Sequence, residues 1–154
     1  MGFQRVCTVK NLYGQWFYEQ IDRKVMYKDH SSWVYCITMD GYIEKVGESG
    51  QPLGIITNNS ASYQPKKGSE SRLGRYINGD STDKRIRDEL REDIDAGRKV
   101  EIWALECPET IVPVDVMDTT FNLAAHIHKQ LEKLILDMIK LETGFYPRLN
   151  SGRA

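Results

Sequence analysis

The stretch from Trp33 to Ser49 constrains the fold of this chain more than any other. Its first arm, WVYCITM, alternates large apolar residues with smaller ones, and Asp40-Gly41 separates it from a second arm that begins at Tyr42. An Asp-Gly pair between apolar, β-branched runs is a strong signal of a tight β-hairpin. Gly47 ends the second arm, where the chain can turn sharply because no Cβ forbids it. The sequence therefore predicts an antiparallel hairpin at the centre of the domain.

The length of the turn decides which residues face each other across this hairpin. A two-residue turn at Asp40-Gly41 sets Tyr35 opposite Val46. A three-residue turn, with Gly41 in the left-handed conformation, shifts the register by one residue and sets Tyr35 opposite Lys45. The sequence alone leaves both open. We prefer the three-residue turn, partly because it brings a cation to the tyrosine.

The segments on either side of the hairpin have different compositions. Residues 1–32 mix aromatic and charged residues without a clean period, so we expect an N-terminal arm with a short helix near Gly14 to Arg23. The run 51–71 is rich in Gly, Ser, Asn and Pro and predicts a long loop, which inside a compact domain is usually functional or disordered. We expect the domain itself to span 33–150 and to be followed by a tail at 151–154.

The second half of the chain predicts further regular elements. N-cap residues begin a helix at 80–96, in which isoleucine and leucine recur every four residues. Residues 99–106 alternate like a half-buried strand, and 107–118 contains a possible short edge strand. A last helix, with an apolar stripe, is expected to begin at Thr119 or Thr120. This order predicts an α/β (α+β) domain with a small, three-stranded antiparallel sheet flanked by helices.

Composition limits the compartment and the partners. The three cysteines, Cys7, Cys36 and Cys107, are widely spaced and form no CxxC pair, which favours a reduced, cytoplasmic location and argues against a zinc ribbon. No signal-peptide core and no run of about 20 apolar residues is present, so we expect a soluble protein with no membrane partner. The net charge is -1. Any nucleic-acid-binding surface must therefore be a local basic patch.

Several short motifs resemble those of the GIY-YIG nucleases. Trp33-Val34-Tyr35 stands where that family has Gly-Ile-Tyr, and Lys45-Val46-Gly47 stands where it has Tyr-Ile-Gly. The lysine in place of the second motif's tyrosine is similar to a restriction-endonuclease branch of the family. Arg72 and Tyr76 resemble the family's arginine and the His or Tyr that follows it four residues later. Glu132 resembles the family's lone helical glutamate, and Pro147-Arg148-Leu149-Asn150 resembles its closing Pro-x-x-Asn.

The resemblance implies a metal-dependent DNA endonuclease of the restriction type. Tyr35 would be the base for the attacking water if a cation such as Lys45 lowered its pKa. Arg72 would clamp phosphate oxygens through its planar fork, and Tyr76 would orient water or phosphate. Glu132 would hold Mg²⁺ or Mn²⁺, since Mg²⁺ binds few protein carboxylates and keeps several waters.

The expected substrate is double-stranded DNA. Arg75 is the alternative to Arg72 if the long loop displaces the latter. Asn150 would support the site. Cutting two strands with one site per chain suggests a homodimer. The loop residues that could reach bases or phosphates are Asn58, Asn59, Gln64, Lys66 and Lys67.

Other interpretations of the same residues exist. A tyrosine in a strand usually packs in the core, and a lone lysine or arginine is usually a solvated surface residue. His126, His128 and Glu132 suggest a zinc site, but no HExxH motif or further Cys/His cluster completes a ligand set. A non-catalytic nucleic-acid-binding or interaction module on the same fold is the alternative to an enzyme, and a structural or regulatory protein with accidental similarity is a third possibility.

Overall fold

The structure is a computed structural model that describes residues 2–12, 15–28, 31–54, 71–73, 75–76 and 81–150. Its elements are β1 (Gln4–Leu12), β2 (Gln15–Glu19), α1 (Arg23–Met26), β3 (Ser32–Met39), β4 (Tyr42–Ser49), α2 (Ser81–Asp95), β5 (Val100–Cys107), β6 (Thr110–Val116), β7 (Thr119–Ala125), α3 (His128–Thr143) and a 3₁₀ turn (Arg148–Asn150). No helix in the described part is long and apolar enough to cross a membrane.

The main sheet has five antiparallel strands in the order β2-β1-β5-β3-β4. The mixed α+β class and the antiparallel arrangement are confirmed, but the expected count of three strands is wrong. The helix expected near Gly14 to Arg23 is also wrong, because Gln15–Glu19 is strand β2 and helix α1 begins only at Arg23. Trp16 and Tyr18 are buried. Aromatic side chains favour strands because they pack well on the face of a sheet. The segment expected to be an N-terminal arm therefore supplies two strands of the sheet, β1 and β2.

The turn between β3 and β4 has two residues. Asp40 and Gly41 have φ values of 50° and 85°, and Met39 pairs with Tyr42. Two successive positive φ values are typical of the turn whose twist matches that of the flanking strands. The three-residue turn that we preferred from the sequence is therefore wrong.

A bulge in β4 then resets the register, because Ile37 pairs with Lys45 while Thr38 pairs with Ile43. The extra residue moves each later partner by one position. As a result, Tyr35 lies opposite Gly47, so neither register expected from the sequence is correct at this residue.

The sheet separates two apolar clusters. On one face, Tyr35 and Ile37 belong to the larger cluster, which also contains Ile86 and Leu90 of α2. On the other face, Val34, Cys36 and Val46 belong to a smaller cluster with Leu136 of α3. The fourfold spacing in the predicted helix at 80–96 and the strand predicted at 99–106 are confirmed by α2 and β5. Strand β4 is the edge at which the two faces meet.

The segment between β5 and α3 forms a separate two-stranded ribbon of β6 and β7. Met117 and Asp118 form its turn, with φ values of 48° and 64°. The possible strand in 107–118 is therefore confirmed, whereas a helix that begins at Thr119 or Thr120 is wrong. The β-branched and aromatic residues of TTF favour an extended conformation. The helix begins at His128 and ends at Thr143, and the next residue, Gly144, has a φ of 85° that is typical of a helix C-cap.

Candidate active site

A polar cleft of about 420 Å³ lies at the edge strand β4. Residues from β4, from the segment 71–76, from the start of α2 and from α3 line it. Since α2 packs on one face of the sheet and α3 on the other, the cleft brings together groups from both faces. Its charged lining residues are Lys45, Glu48, Arg72, Arg75, Asp83 and Glu132.

Two tyrosines lie beneath this cleft and are fully buried. The hydroxyl oxygens of Tyr35 and Tyr76 are 2.5 Å apart, and their rings meet edge to face. Trp16 stacks on the ring of Tyr76 with 5.5 Å between centroids, which fixes the plane of that ring. Two residues that are 41 positions apart in sequence, and that the resemblance assigns to one site, therefore share a hydrogen bond.

Burial raises the pKa of both tyrosine hydroxyls. The pKa of Tyr76 lies well above its usual value, and burial also raises that of Tyr35, against the lowering effects of the Arg72 guanidinium and of the hydrogen bond from Tyr76. Both hydroxyls are consequently neutral in the free protein at ordinary pH. A lowered pKa of Tyr35, which the resemblance led us to expect with Lys45 as its cause, is not found in this state.

Gly47 leaves the space that the ring of Tyr35 occupies. A Cβ on this residue would lie 2.5 Å from the hydroxyl oxygen of Tyr35 and 2.7 Å from its Cε1 atom. Real Cβ atoms do not approach other heavy atoms that closely. The glycine of the second motif is therefore required by the position of the tyrosine of the first motif.

Arg72 lies above both tyrosines. Its Cζ atom is 5.5 Å from the ring centroid of Tyr35 and 5.1 Å from that of Tyr76, and its Nη2 atom is 3.5 Å from the Tyr76 hydroxyl. The carboxylate of Asp83 accepts from both terminal nitrogens of Arg72, at 3.4 and 3.2 Å. Asp83 thus holds the guanidinium in place over the two rings.

Arg75, the alternative to Arg72, lies further out. Its Nε atom is 3.5 Å from Oδ2 of Asp83, the oxygen that also accepts from Nη1 of Arg72, and its side chain is 48 % exposed against 16 % for Arg72. The structure brings Arg72 to the tyrosines and leaves Arg75 at the rim of the cleft.

Lys45 reaches the cleft from the same face of the sheet as Tyr35. It pairs with Ile37 and is therefore a diagonal neighbour of Tyr35, with about 7–8 Å expected between such positions. The backbone between Lys45 and Gly47 is held by Asn150, whose amide accepts from Val46 N at 2.8 Å and donates to Val46 O at 2.9 Å. Both ends of this amide are occupied by the edge strand, which suits a supporting role for Asn150.

The opposite side of the cleft carries carboxylates. Glu132 of α3 is 5 % exposed and lines the cleft. Glu48 lines it as well, and its carboxylate lies 3.2 Å from Nε2 of His128. Among the described residues no group of three or more His, Cys, Asp or Glu side chains is arranged to hold a metal. A buried glutamate beside a polar cleft suits Mg²⁺, which needs only one or two protein carboxylates and keeps several waters.

Sequence reasoning did not identify every charged residue of this cleft. Asp83 gave no signal, because an acid in the first turn of a helix is common for electrostatic reasons alone. Glu48 follows the second motif directly but matches nothing in it. The expected substrate contacts in the long loop lie outside the described residues, and these are Asn58, Asn59, Gln64, Lys66 and Lys67.

No protein-family model and no curated protein matches the sequence. Solved structures that are similar to this chain include the following two. One is the restriction endonuclease HPY188I in complex with product DNA, with 18 % identity, 94 % of this chain and 78 % of that chain covered, and a TM-score of 0.45. The other is a mutant of EndoII of bacteriophage T4, with 13 % identity and a TM-score of 0.55, and the match covers 90 % of this chain and 87 % of that chain. At this identity the second similarity shows a common fold and nothing further.

Proposed function

We propose that this protein is a metal-dependent endonuclease of the GIY-YIG type that hydrolyses phosphodiester bonds of double-stranded DNA. The proposal rests above all on one arrangement. Lys45 and Arg72 line one side of a polar cleft above the Tyr35–Tyr76 hydrogen bond, and Glu132 lines the other. A base, cations for the phosphate charge and a carboxylate for a metal are the groups that phosphodiester hydrolysis requires.

Tyr35 is the proposed general base, and the groups around its hydroxyl would stabilise the phenolate that this role needs. Tyr76 can donate its proton to the phenolate oxygen, and the Arg72 guanidinium lies over the ring. Both interactions lower the pKa of Tyr35, in opposition to its burial. Tyr76 therefore acts as a hydrogen-bond donor that makes the charged state of Tyr35 accessible during the reaction.

Lys45 and Arg72 are the proposed electrostatic groups. Burial lowers the pKa of Arg72, but the Asp83 carboxylate raises it, and a guanidinium keeps its charge at every accessible pH. Asp83 fixes its fork, so the guanidinium need not reorganise when negative charge develops on the phosphate. Lys45 adds a second cation from the adjacent strand.

Glu132 is the proposed ligand of Mg²⁺ or Mn²⁺. When bound, such an ion polarises the phosphate and stabilises the leaving oxygen. Within this class we favour a cytoplasmic restriction-type enzyme that acts as a homodimer. Arg75 at the rim and the loop 51–71 would contribute the contacts with DNA.

Cleavage of DNA tests this proposal. Purified protein is incubated with plasmid and phage DNA in Mg²⁺, in Mn²⁺ and in EDTA, together with Glu132→Gln and, as the matched control on the same helix, the exposed Glu142→Gln. We expect discrete fragments from the wild type and the control in the presence of metal only, and none from Glu132→Gln. Equal cleavage by Glu132→Gln would contradict the assignment.

A non-catalytic nucleic-acid-binding or interaction module is the second candidate. Two observations favour it. The pKa values of Tyr35 and Tyr76 are raised, and the Arg72 guanidinium already forms an ion pair with the Asp83 carboxylate. This candidate predicts salt-sensitive DNA binding without cleavage of any DNA in any metal. The same incubations therefore separate the two.

A further inference from the structure

Strand β4 has one residue without a partner in β3. Ile43 and Lys45 pair with successive residues of β3, so Glu44 between them is the extra residue of the bulge. An extra residue disrupts the ladder locally and lets the strand bend. Because a slip of one residue moves every following side chain to the other face of the sheet, the bulge decides which side chains of β4 face the cleft. The position of Glu44 therefore matters to the site.

The guanidinium of Arg148 holds this extra residue. Its Nε atom donates to the Glu44 carboxylate at 3.2 Å, and its Nη2 atom donates to the Asp93 carboxylate of α2 at 3.1 Å. The planar fork of an arginine suits two carboxylates at once. Arg148 lies in the 3₁₀ turn, where the next residue, Leu149, is buried in the larger apolar cluster. The fork thus joins the bulge to two elements that the core holds in place.

Lys45 lies between two anchors that come from this one turn. Arg148 holds the residue before it, and the Asn150 amide holds both backbone groups of the residue after it, Val46. Lys45 itself is only 9 % exposed and lines the cleft. The closing turn therefore fixes the backbone on both sides of the cation that we assign to the phosphate charge.

The alternative register without a bulge would disrupt the cleft. With the same two-residue turn and no extra residue, Lys45 would pair with Cys36, and Val46 would pair with Tyr35. The lysine would then leave the face of the sheet that carries the tyrosines. A side chain would also stand where Gly47 now leaves space for the tyrosine ring. A fixed bulge is thus a condition for both the cation and the tyrosine to keep their places.

We propose that Arg148 is a positioning residue for the cleavage reaction and that it acts through Glu44, by fixing the bulge and thereby the place of Lys45 at the cleft. The inference rests on the proposed nuclease function and adds to it a residue from outside the cleft lining. The side chain of Arg148 is 48 % exposed. Ion pairs at such exposure contribute little to stability, so the loss of this one should be seen in the rate of cleavage and not in unfolding.

Cleavage kinetics in Mg²⁺ give the first test. Glu44→Ala removes the carboxylate at the bulge, and Arg148→Lys keeps a cation that cannot bridge two carboxylates. Glu89→Ala is the control, because it breaks an ion pair with Arg85 that lies wholly within α2. We expect kcat to fall about tenfold in the two test variants and to stay unchanged in the control, with DNA affinity in EDTA close to that of the wild type.

A double variant separates this role from phosphate binding. Because Glu44→Ala and Arg148→Lys break the same link, the combined variant should be no slower than the slower single variant. If Arg148 instead bound DNA, Glu44→Ala would free it and tighten DNA binding, and Arg148→Lys would retain most of the activity. Either of these two results would overturn the proposal.

Amide hydrogen exchange reports the anchor without any cleavage. It is measured by NMR in EDTA without DNA. The Val46 N–H group, which donates to Asn150, should exchange about tenfold faster in both test variants, while Ile102 in the central strand β5 should exchange as in the wild type. Unchanged exchange at Val46 would overturn the anchor, and faster exchange with an unchanged kcat would overturn its role in the reaction. A wild type that cuts no DNA would contradict the proposed function and the positioning role with it, whereas faster exchange at Val46 would still establish the anchor.

Discussion

Gly47→Ala should damage the site without removing any of its functional groups. The added Cβ would lie 2.5 Å from the hydroxyl oxygen of Tyr35, whereas ordinary contacts begin at 3.4 Å. The backbone of β4 cannot easily give way, because Asn150 holds the preceding residue, Val46, by two hydrogen bonds. The Tyr35 hydroxyl would therefore have to move by about 0.9 Å. This movement is directed away from β4 and from the cleft.

The expected size of the effect follows from this displacement. Inserting a methyl group into a packed site typically costs about 1–3 kcal/mol of stability. Misplacing a catalytic group by about 1 Å can cost about 100-fold in rate. Gly47→Ala should therefore lower kcat by about 100-fold while lowering the free energy of unfolding by no more than a few kcal/mol, and most of the protein should remain folded.

Two other glycines provide matched controls. A Cβ on Gly50, which lines the same cleft, would meet His128 Nε2 at 3.5 Å, an ordinary contact, so Gly50→Ala should leave both quantities nearly unchanged. A Cβ on Gly54 would lie 2.7 Å from the sulfur of Met26, so Gly54→Ala should reduce stability without a comparable loss of kcat. The assays are DNA cleavage and urea unfolding. Full activity of a folded Gly47→Ala protein would refute the argument.

Three other substitutions, two at the site and one on the opposite face of the sheet, should have measurable effects. Tyr76→Phe removes the hydrogen bond to the Tyr35 hydroxyl, so it should lower kcat about 10- to 100-fold and shift the pH–rate profile to higher pH. If Tyr76 served only in packing, the profile would not shift. Asp83→Asn removes the carboxylate that pairs with Arg72 and Arg75. KM for DNA should fall because both arginines can then bind phosphate, and kcat should also fall because Arg72 is no longer held over the tyrosines. The exposed Asp88→Asn should change neither. Burial raises the pKa of the Cys36 thiol to about 12. The unfolded chain loses the thiol proton at a lower pH than the folded chain does. The free energy of unfolding should therefore decline from about pH 9 upward, more steeply than in Cys36→Ala.

Local patterns predicted the elements whose signals are local. The Asp40-Gly41 pair and its flanking runs predicted the hairpin, and the fourfold apolar spacing predicted α2. The bulge near Lys45 could not be predicted, because an inserted residue has no composition of its own. It nevertheless decides that Tyr35 faces Gly47, and so it sets the geometry of the site.

Two errors have other physical causes. The pairing of β1 with β5 joins Thr8 to Glu101, and a contact across such a separation leaves no periodic trace in either segment. The run Leu123, Ile127 and Leu131 has helical spacing although its first member lies in β7. The turn at Met117 lacks the glycine that usually marks such a hairpin, so the sequence predicts the start of a helix where β7 is found, although it allows for β6.

The motifs predicted that Tyr35, Arg72 and Tyr76 would meet, and the structure brings them together across two elements. They could not predict Asp83 or the raised pKa of the tyrosines, since both depend on burial and on neighbours that only the folded chain supplies. The sequence therefore indicated which groups meet but not how they are held.

The central claim is that groups from the two faces of the sheet act together at strand β4. Single-turnover cleavage of one defined duplex tests it most directly, with DNA affinity measured separately in EDTA. We predict that Tyr35→Phe and Glu132→Gln each slow cleavage by about 100-fold or more, while affinity stays close to that of the wild type and the exposed Tyr42→Phe cleaves normally. Wild-type cleavage rates in both Tyr35→Phe and Glu132→Gln would contradict the account.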